Sequence, residues 1–183
     1  VLAPCVDVHS DVSTIIGQRG RAFSHKIDEI VILAKAWIDV CNKIGLKTCL
    51  KHWPGHGSSE HDSHIETAFD TRSSDEIWAD AIVYKQLIDQ GYQDAIMPGH
   101  VVYPEIDDLP ATLSNKIISN LKSWGFRGKI MSDCFSMLGA GKGTLHDRAV
   151  LAKQAGITDF MILSSETATD LIEQFYGDVQ TNS

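Results

Sequence analysis

Basic charge is scarce in this sequence. Its 183 residues hold 16 Lys and Arg against 24 Asp and Glu, a formal net charge of −8. Neutralising a phosphate backbone takes clustered Lys and Arg, and no such cluster occurs, which argues against a nucleic-acid surface. Long hydrophobic runs are missing too; none approaches the ~20 residues that cross a bilayer. The opening VLAPCVDV is too short for a signal peptide and has no basic leader, so it reads as a strand. Position 1 is Val rather than Met, from which we expect an upstream segment to have been removed or left out. Cysteine is sparse: Cys5, Cys41, Cys49 and Cys134 form no CxxC pair, and three of them lie in apolar segments. Reduced, buried thiols of a cytoplasmic protein are expected, not a disulfide framework. Dinucleotide and phosphate-loop fingerprints are also lacking. GAGKG at Gly139–Gly143 does not end in GK(S/T) at the required spacing and is expected to be a flexible loop.

What is present has the composition of an ordinary globular domain, 43% hydrophobic and 22% charged, in a chain long enough for one sizeable core. Strand candidates at Val1–Val8, Leu46–Leu50, Ala95–Met97, Lys129–Met131 and Asp159–Leu163 alternate with helix candidates. The helices are expected at Ile27–Ile44, Ser74–Gln90, Ser114–Trp124, Asp147–Ala155 and Thr167–Phe175. Ser73 or Ser74, Ser114 and Thr144 stand where N-caps belong, and Gly45, Gly91, Gly125 and Gly156 follow helix ends. Gly177 to Ser183 read as a frayed tail. Such alternation implies a parallel sheet with right-handed crossovers.

Each strand candidate runs into a polar loop: His9 and Asp11, the stretch from Lys51, His100, Ser132 and Asp133, and Ser164 to Glu166. An α/β barrel gathers all its strand C-termini on one face, so these loops would converge there. An open doubly wound sheet would instead bind at a switch point, usually with the glycine-rich phosphate loop that is absent here. The expected fold class is therefore α/β, a TIM-type (β/α) barrel. Five or six strand–helix units fall short of eight, and a complete barrel takes about 200 residues or more, so the barrel is expected to be incomplete.

The densest chemistry lies in Lys51 to His64, KHWPGHGSSEHDSH. Four imidazoles and Asp62 raise the question of a metal, but Pro54, Gly55 and Gly57 preclude a helix and no ligand pair has a familiar zinc spacing. A long glycine-rich loop in a compact domain points to function. Asp62 and His64 are two apart, so in an extended loop they share a side, and the carboxylate orients the imidazole as an acid/base. The natural partner is Asp133 in KIMSDCFSM, a carboxylate at the end of a buried strand. A strand-end carboxylate opposite a proton donor is the layout of a retaining glycosidase.

KHWPGHGSSEHDSH also resembles the KH(F/W)PGHG…DSH motif of family 3 glycoside hydrolases, in the bacterial β-N-acetylhexosaminidase branch. IIGQRGRAFS, AIMPGHVVYPEIDDLPATLS and GFRGKIMSDCFSM match further blocks in the right order, and VLAPCVDV resembles the strand ahead of them. The resemblance covers nearly the whole chain. It implies a barrel enzyme that removes terminal β-linked N-acetylglucosamine through a covalent glycosyl-enzyme, without cofactor or metal, commonly on cell-wall (muropeptide) fragments in the cytoplasm. Carried over residue by residue, Asp133 matches the nucleophile, His64 the acid/base and Asp62 its orienting partner. Lys51, His52 and Arg21 match residues that bind the sugar.

Two departures stand out. The family usually has SDD where this chain has Ser132, Asp133 and Cys134, and the upstream block ending near DQEGG is missing. The chain is therefore expected to be a single catalytic barrel domain over residues 1–183 or its C-terminal two-thirds, with the open side covered by self-association or by a missing N-terminal segment. The alternatives are a β-N-acetylglucosaminide phosphorylase, an inactive or sugar-binding fragment, and a metal-dependent hydrolase.

Overall fold

The alternation of short apolar runs with longer amphipathic ones produces five strand–helix units among the described residues. The structure is a computed structural model that describes residues 1–59 and 61–181, with 166 and 175–181 described by backbone alone. Strands β1 (Cys49–Trp53), β3 (Ala95–Pro98) and β6 (Lys129–Ile130) form a parallel sheet in the order β1-β3-β6. Single bridges extend it at both edges, Cys5 beside Lys51 and Met131 beside Asp159. Helices α1 (Ile27–Lys43), α2 (Ser74–Asp89), α3 (Asn115–Ser123), α4 (Leu145–Ala155) and α5 (Ser165–Thr181) follow the five segments in turn. Among the described residues the sheet does not close.

The helix limits follow local chemistry. Ser73 and Thr144 form capping boxes with Glu76 and Asp147, and Ser114 caps α3 by accepting from the Ile117 N–H. Helix α4 stops at Gly156, whose φ of 114° only glycine adopts easily. The expected tail does not begin at Gly177, because the backbone to Thr181 continues α5; Asn182 and Ser183 lie outside the described residues.

Strand limits moved more. The second strand runs Cys49–Trp53 rather than Leu46–Leu50, since Leu46 and Lys47 are exposed and pairing starts at Cys49. The main chain of Lys51 pairs on one side with Pro4 and Val6 and on the other with Met97, so two polar residues become part of the strand. The first expected strand shrinks to the pairing around Cys5, and the last to that around Asp159. A second small sheet was not anticipated. It joins β2 (Ala68–Phe69), β4 (Val101–Tyr103) and β5 (Asp107–Pro110), with β2 parallel and β5 antiparallel to β4. This sheet backs the loop after β1: the Tyr103 hydroxyl donates to the Gly55 carbonyl at 2.6 Å.

Period-two alternation, broken in β1 by a register irregularity between Lys51 and Trp53, divides the parallel sheet into two faces. Val6, Leu50, Trp53, Ile96 and Ile130 pack under the helices in the main core. Trp53 is fully buried, edge-on to Tyr84 and Trp124 with both centroids at 5.2 Å, and its indole N–H donates to the Ile117 carbonyl. On the opposite face Cys49, Ala95 and Met97 form a smaller cluster with Met131 and Met161. That face borders an open cavity of about 740 Å³ at the strand N-termini, lined by Val1, Leu2, Cys49 and Met131 among others. Helix α1 carries a second apolar stripe, Leu33, Trp37, Val40 and Ile44, which is exposed. All four cysteines are free thiols, and all but Cys5 are buried.

This division makes two tryptophans unequal. Trp53→Ala should lower stability by about 3–5 kcal/mol, as for a large core deletion. Trp37→Ala, at a residue 44% exposed, should change it by under about 1 kcal/mol. Urea unfolding of the two variants checks this, and equal losses would mean that the stripe on α1 is packed after all.

Candidate active site

The site is built outward from a buried carboxylate. Asp7, fully enclosed just past the Cys5 pairing, accepts the His52 backbone N–H at 3.1 Å and the His56 backbone N–H at 2.7 Å on Oδ1. Its Oδ2 takes the His52 ring Nδ1–H at 2.7 Å and the Cys5 thiol at 3.1 Å. Burial works to raise its pKa, but His52 and His56 outweigh that and hold the carboxyl far below the usual carboxylate range. Because Nδ1 of His52 is occupied, its Nε2 is the atom free to meet a ligand. Asp7 was not singled out from sequence. An acidic residue in an apolar run was the available signal.

Asp133 follows β6 and is partly buried. Burial raises its pKa, yet His52, His100, the Cys134 N–H and Lys51 together bring it below the ordinary value. The nearest of these is the Cys134 N–H, which donates to Oδ1 at 2.7 Å. The carboxylate is thus ionised and faces cationic or polarisable groups, as a nucleophile requires. The structure brings Lys51, His52 and Asp133 together through this electrostatic coupling. Arg21 lies near Cys5, whose thiol it pulls down against stronger raising by burial and Asp7, and its Nη1 donates to the Ile15 carbonyl at 3.2 Å.

His100 belongs to the same group and was not singled out from sequence. It is buried, its Nε2–H donates to the Cys134 carbonyl at 3.1 Å, and its Nδ1 accepts the Thr112 hydroxyl at 2.9 Å. These bonds hold the main chain next to Asp133. The signal was its position directly after an apolar strand, in MPGH.

The loop after β1 assigns a different partner to each imidazole. His61 pairs with Glu66 at 2.9 Å, and His64 Nδ1–H donates to Asp62 Oδ1 at 2.6 Å; Glu60 lies outside the described residues. Asp62 and His64 meet in a tight turn rather than the extended loop expected. The Asp62 carbonyl accepts from Ile65 and Glu66, and its Oδ1 also accepts the His64 N–H at 2.9 Å. A turn brings residues two apart together by closing on the side-chain oxygen, which alternation in a strand does not do. Burial works to raise the Asp62 pKa, but His64 and Arg19, 3.7 Å away, keep it below the ordinary value. His64 Nε2 is left on an exposed ring.

A resident metal fits this donor set poorly. Among the described residues the one group of three close donors is Cys5, Asp7 and His52, within 4.8 Å of one another. Burial first, and Asp7 second, push the Cys5 thiol far above its ordinary value, so it is protonated and donates to Asp7 Oδ2, and a cation there would have to displace that proton. GAGKG, expected as a flexible loop, instead includes a 3₁₀ turn at Leu138–Ala140 with Gly139 buried against the turn of Asp62.

The family described as Glycosyl hydrolase family 3 N terminal domain matches residues 1–182. A beta-hexosaminidase of Tolumonas auensis is 42% identical over 158 residues, covering 84% of this chain and 46% of that protein. NagZ from Neisseria gonorrhoeae, solved with N-trifluoroacetyl-D-glucosamine, superimposes with a TM-score of 0.81 at 34% identity, covering 94% of this chain and 49% of its own. Zinc-bound CbsA from Thermotoga neapolitana superimposes with a TM-score of 0.90 at 26% identity, covering 100% of this chain and 40% of its own. The chain spans about half the length of the curated relatives it matches. Among the described residues no helix is long and apolar enough to cross a membrane.

The carboxylate at the base of the site also sets an acid limit. Asp7 has a depressed pKa in the folded state, so its stabilising contribution is complete above the unfolded value of about 3.9 and is lost as pH falls below it. Asp7→Asn should cost roughly 3–5 kcal/mol near pH 7, where three N–H groups lose a charged acceptor. It should also flatten part of the wild-type loss of stability below about pH 4. Urea melts across pH measure both, and an Asp7→Asn variant of unchanged stability would remove Asp7 from this role.

Proposed function

This chain belongs to glycosyl hydrolase family 3, and on that premise we propose that it carries the strand ends of a retaining β-N-acetylglucosaminidase. Two observations support the reading most: a partly buried Asp133 whose pKa is lowered by His52, His100 and Lys51, and, on the loop after β1, an imidazole whose Nδ1 is held by Asp62. Asp133 attacks the anomeric carbon, and the bond from that carbon to the leaving oxygen breaks. His64 Nε2, protonated at the start, gives its proton to that oxygen. Water then attacks the glycosyl-enzyme, neutral His64 takes the proton from water, and the Asp133 carboxylate is released. A cationic donor suits this role because it does not add a second negative charge beside the nucleophile. Lys51, His52 through Nε2, and Arg21 bind the sugar; a terminal N-acetylglucosamine on a cell-wall fragment in the cytoplasm is the substrate proposed.

The open sheet supports a part-barrel reading. Five strand segments make part of a TIM-type barrel, and we read the cavity beside Cys49 and Met131 as the side that further polypeptide closes. A resident cation is a second reading, favoured by the zinc in the CbsA and NagZ relatives; the Cys5, Asp7 and His52 donors are already bonded to one another.

Asp133→Asn should lower turnover of an aryl N-acetylglucosaminide by several orders of magnitude with the fold intact, and a 2-fluoro sugar should label Asp133. Labelling at another carboxylate, found by peptide mass spectrometry, would sink the assignment. His64→Ala should lose about 10²–10⁴-fold on substrates with poor leaving groups and much less on those with good ones. The slope of turnover against leaving-group pKa is the measurement; a flat slope overturns His64 as donor. Rates unchanged by added phosphate separate hydrolysis from phosphorolysis.

A further inference from the structure

Two imidazoles of the loop have no part in the reaction above, His56 and His61, and His56 is the most enclosed of the loop's histidines. Its ring bonds both ways. Nδ1 lies 2.5 Å from the Ser59 hydroxyl and Nε2 lies 3.1 Å from the Ser63 hydroxyl, and both serines are fully buried. The Ser59 hydroxyl also lies 3.2 Å from the His56 carbonyl. In a neutral imidazole one nitrogen donates and the other accepts, so in either tautomer His56 bonds Ser59 and Ser63 at once. Burial, helped by His52, lowers the His56 pKa to about 4, so the ring stays neutral at ordinary pH.

Ser63 stands between Asp62 and His64. Its side chain goes down to His56 while its carbonyl accepts the Gly139 N–H at 3.0 Å, and the His64 carbonyl accepts the Leu138 N–H at 3.4 Å. The fit at Gly139 leaves no room for a side chain: a Cβ there would lie 2.6 Å from the Ser63 carbonyl oxygen and 3.0 Å from that of Glu66. Leu138 and Gly139 sit in the turn that follows Asp133 in the same loop. Below, the His56 N–H is held by Asp7, so the ring has a rigid base.

We propose that His56 is a positioning residue that latches the Asp62–His64 turn through the Ser63 hydroxyl and seats it on Gly139, coupling the proton donor to the nucleophile's loop. The catalytic consequence rests on the reading of His64 as proton donor; the latch itself rests only on the geometry. Only one ring nitrogen reaches Ser63, which makes the idea separable from general packing. Glutamine places a polar atom where Nε2 is, whereas asparagine places one where Nδ1 is.

Amide exchange in the full chain tests the latch. Ser63→Ala and His56→Asn should speed exchange of the Gly139 amide by roughly tenfold or more while Ile96, in the core sheet, keeps its protection; His56→Gln should restore Gly139. On an N-acetylglucosaminide with a poor leaving group, Ser63→Ala should lower kcat roughly threefold to tenfold with KM little changed, the scale of one lost hydrogen bond. A good leaving group should hide the loss. Unchanged Gly139 exchange in Ser63→Ala, or equal effects of the Gln and Asn variants, overturns the latch. If the wild-type chain turns over no N-acetylglucosaminide, the proposed reaction fails and the exchange measurements still decide the latch.

Discussion

The site depends on one buried charge. Asp7 is enclosed by apolar strands, where an ionised carboxylate is tolerated only when its oxygens are fully engaged. It is engaged by the main chain at both His52 and His56 and by the His52 ring. The same contacts bend the chain away from β1 and choose the imidazole atom that faces the ligand. Gly57 must follow closely, because a Cβ there would lie 1.7 Å from the Val8 carbonyl oxygen. A local electrostatic requirement thus becomes the shape of the loop.

From that anchor the chemistry spreads over three strand ends. Lys51 and His52 close β1, His100 follows β3 and Asp133 follows β6, so the parallel direction of the strands puts them on one side. Their charges act on one another there: Asp133 is ionised despite burial because His52, His100 and Lys51 face it. The small second sheet serves this arrangement from behind through Tyr103 on the Gly55 carbonyl, and the 3₁₀ turn that follows it adds Thr112 on His100. Its strands are too short and too irregular to have shown a period-two pattern in sequence.

Legibility varied with the range of the interaction responsible. The helices and their caps were readable because Ser73, Ser114 and Thr144 act within a few residues of themselves. The Asp62–His64 pair was readable for the same reason, though its turn was mistaken for an extended loop because the closing bond to the His64 N–H leaves no pattern of polarity. Strand ends were less legible: the pairing of Lys51 with Pro4, Val6 and Met97 carries β1 into polar residues. GAGKG was misread since the feature that matters, the approach of Ser63 to Gly139, crosses between two loops.

The sequence by itself determined the alternation of strands and helices, the placing of polar residues after each strand, and the family motif, all of which are short-range or ordered along the chain. Tertiary structure decided which of those polar residues share an environment. Only the folded chain puts Asp7 under His52 and His56, 45 and 49 residues away, and His100 against the Cys134 carbonyl. Only there does burial act on them, lowering the His56 pKa while hydrogen bonds and nearby polar groups hold Asp7 and Asp133 below the ordinary carboxylate value. Desolvation and charge coupling depend on what surrounds a group in three dimensions, and a linear order of residues does not contain that.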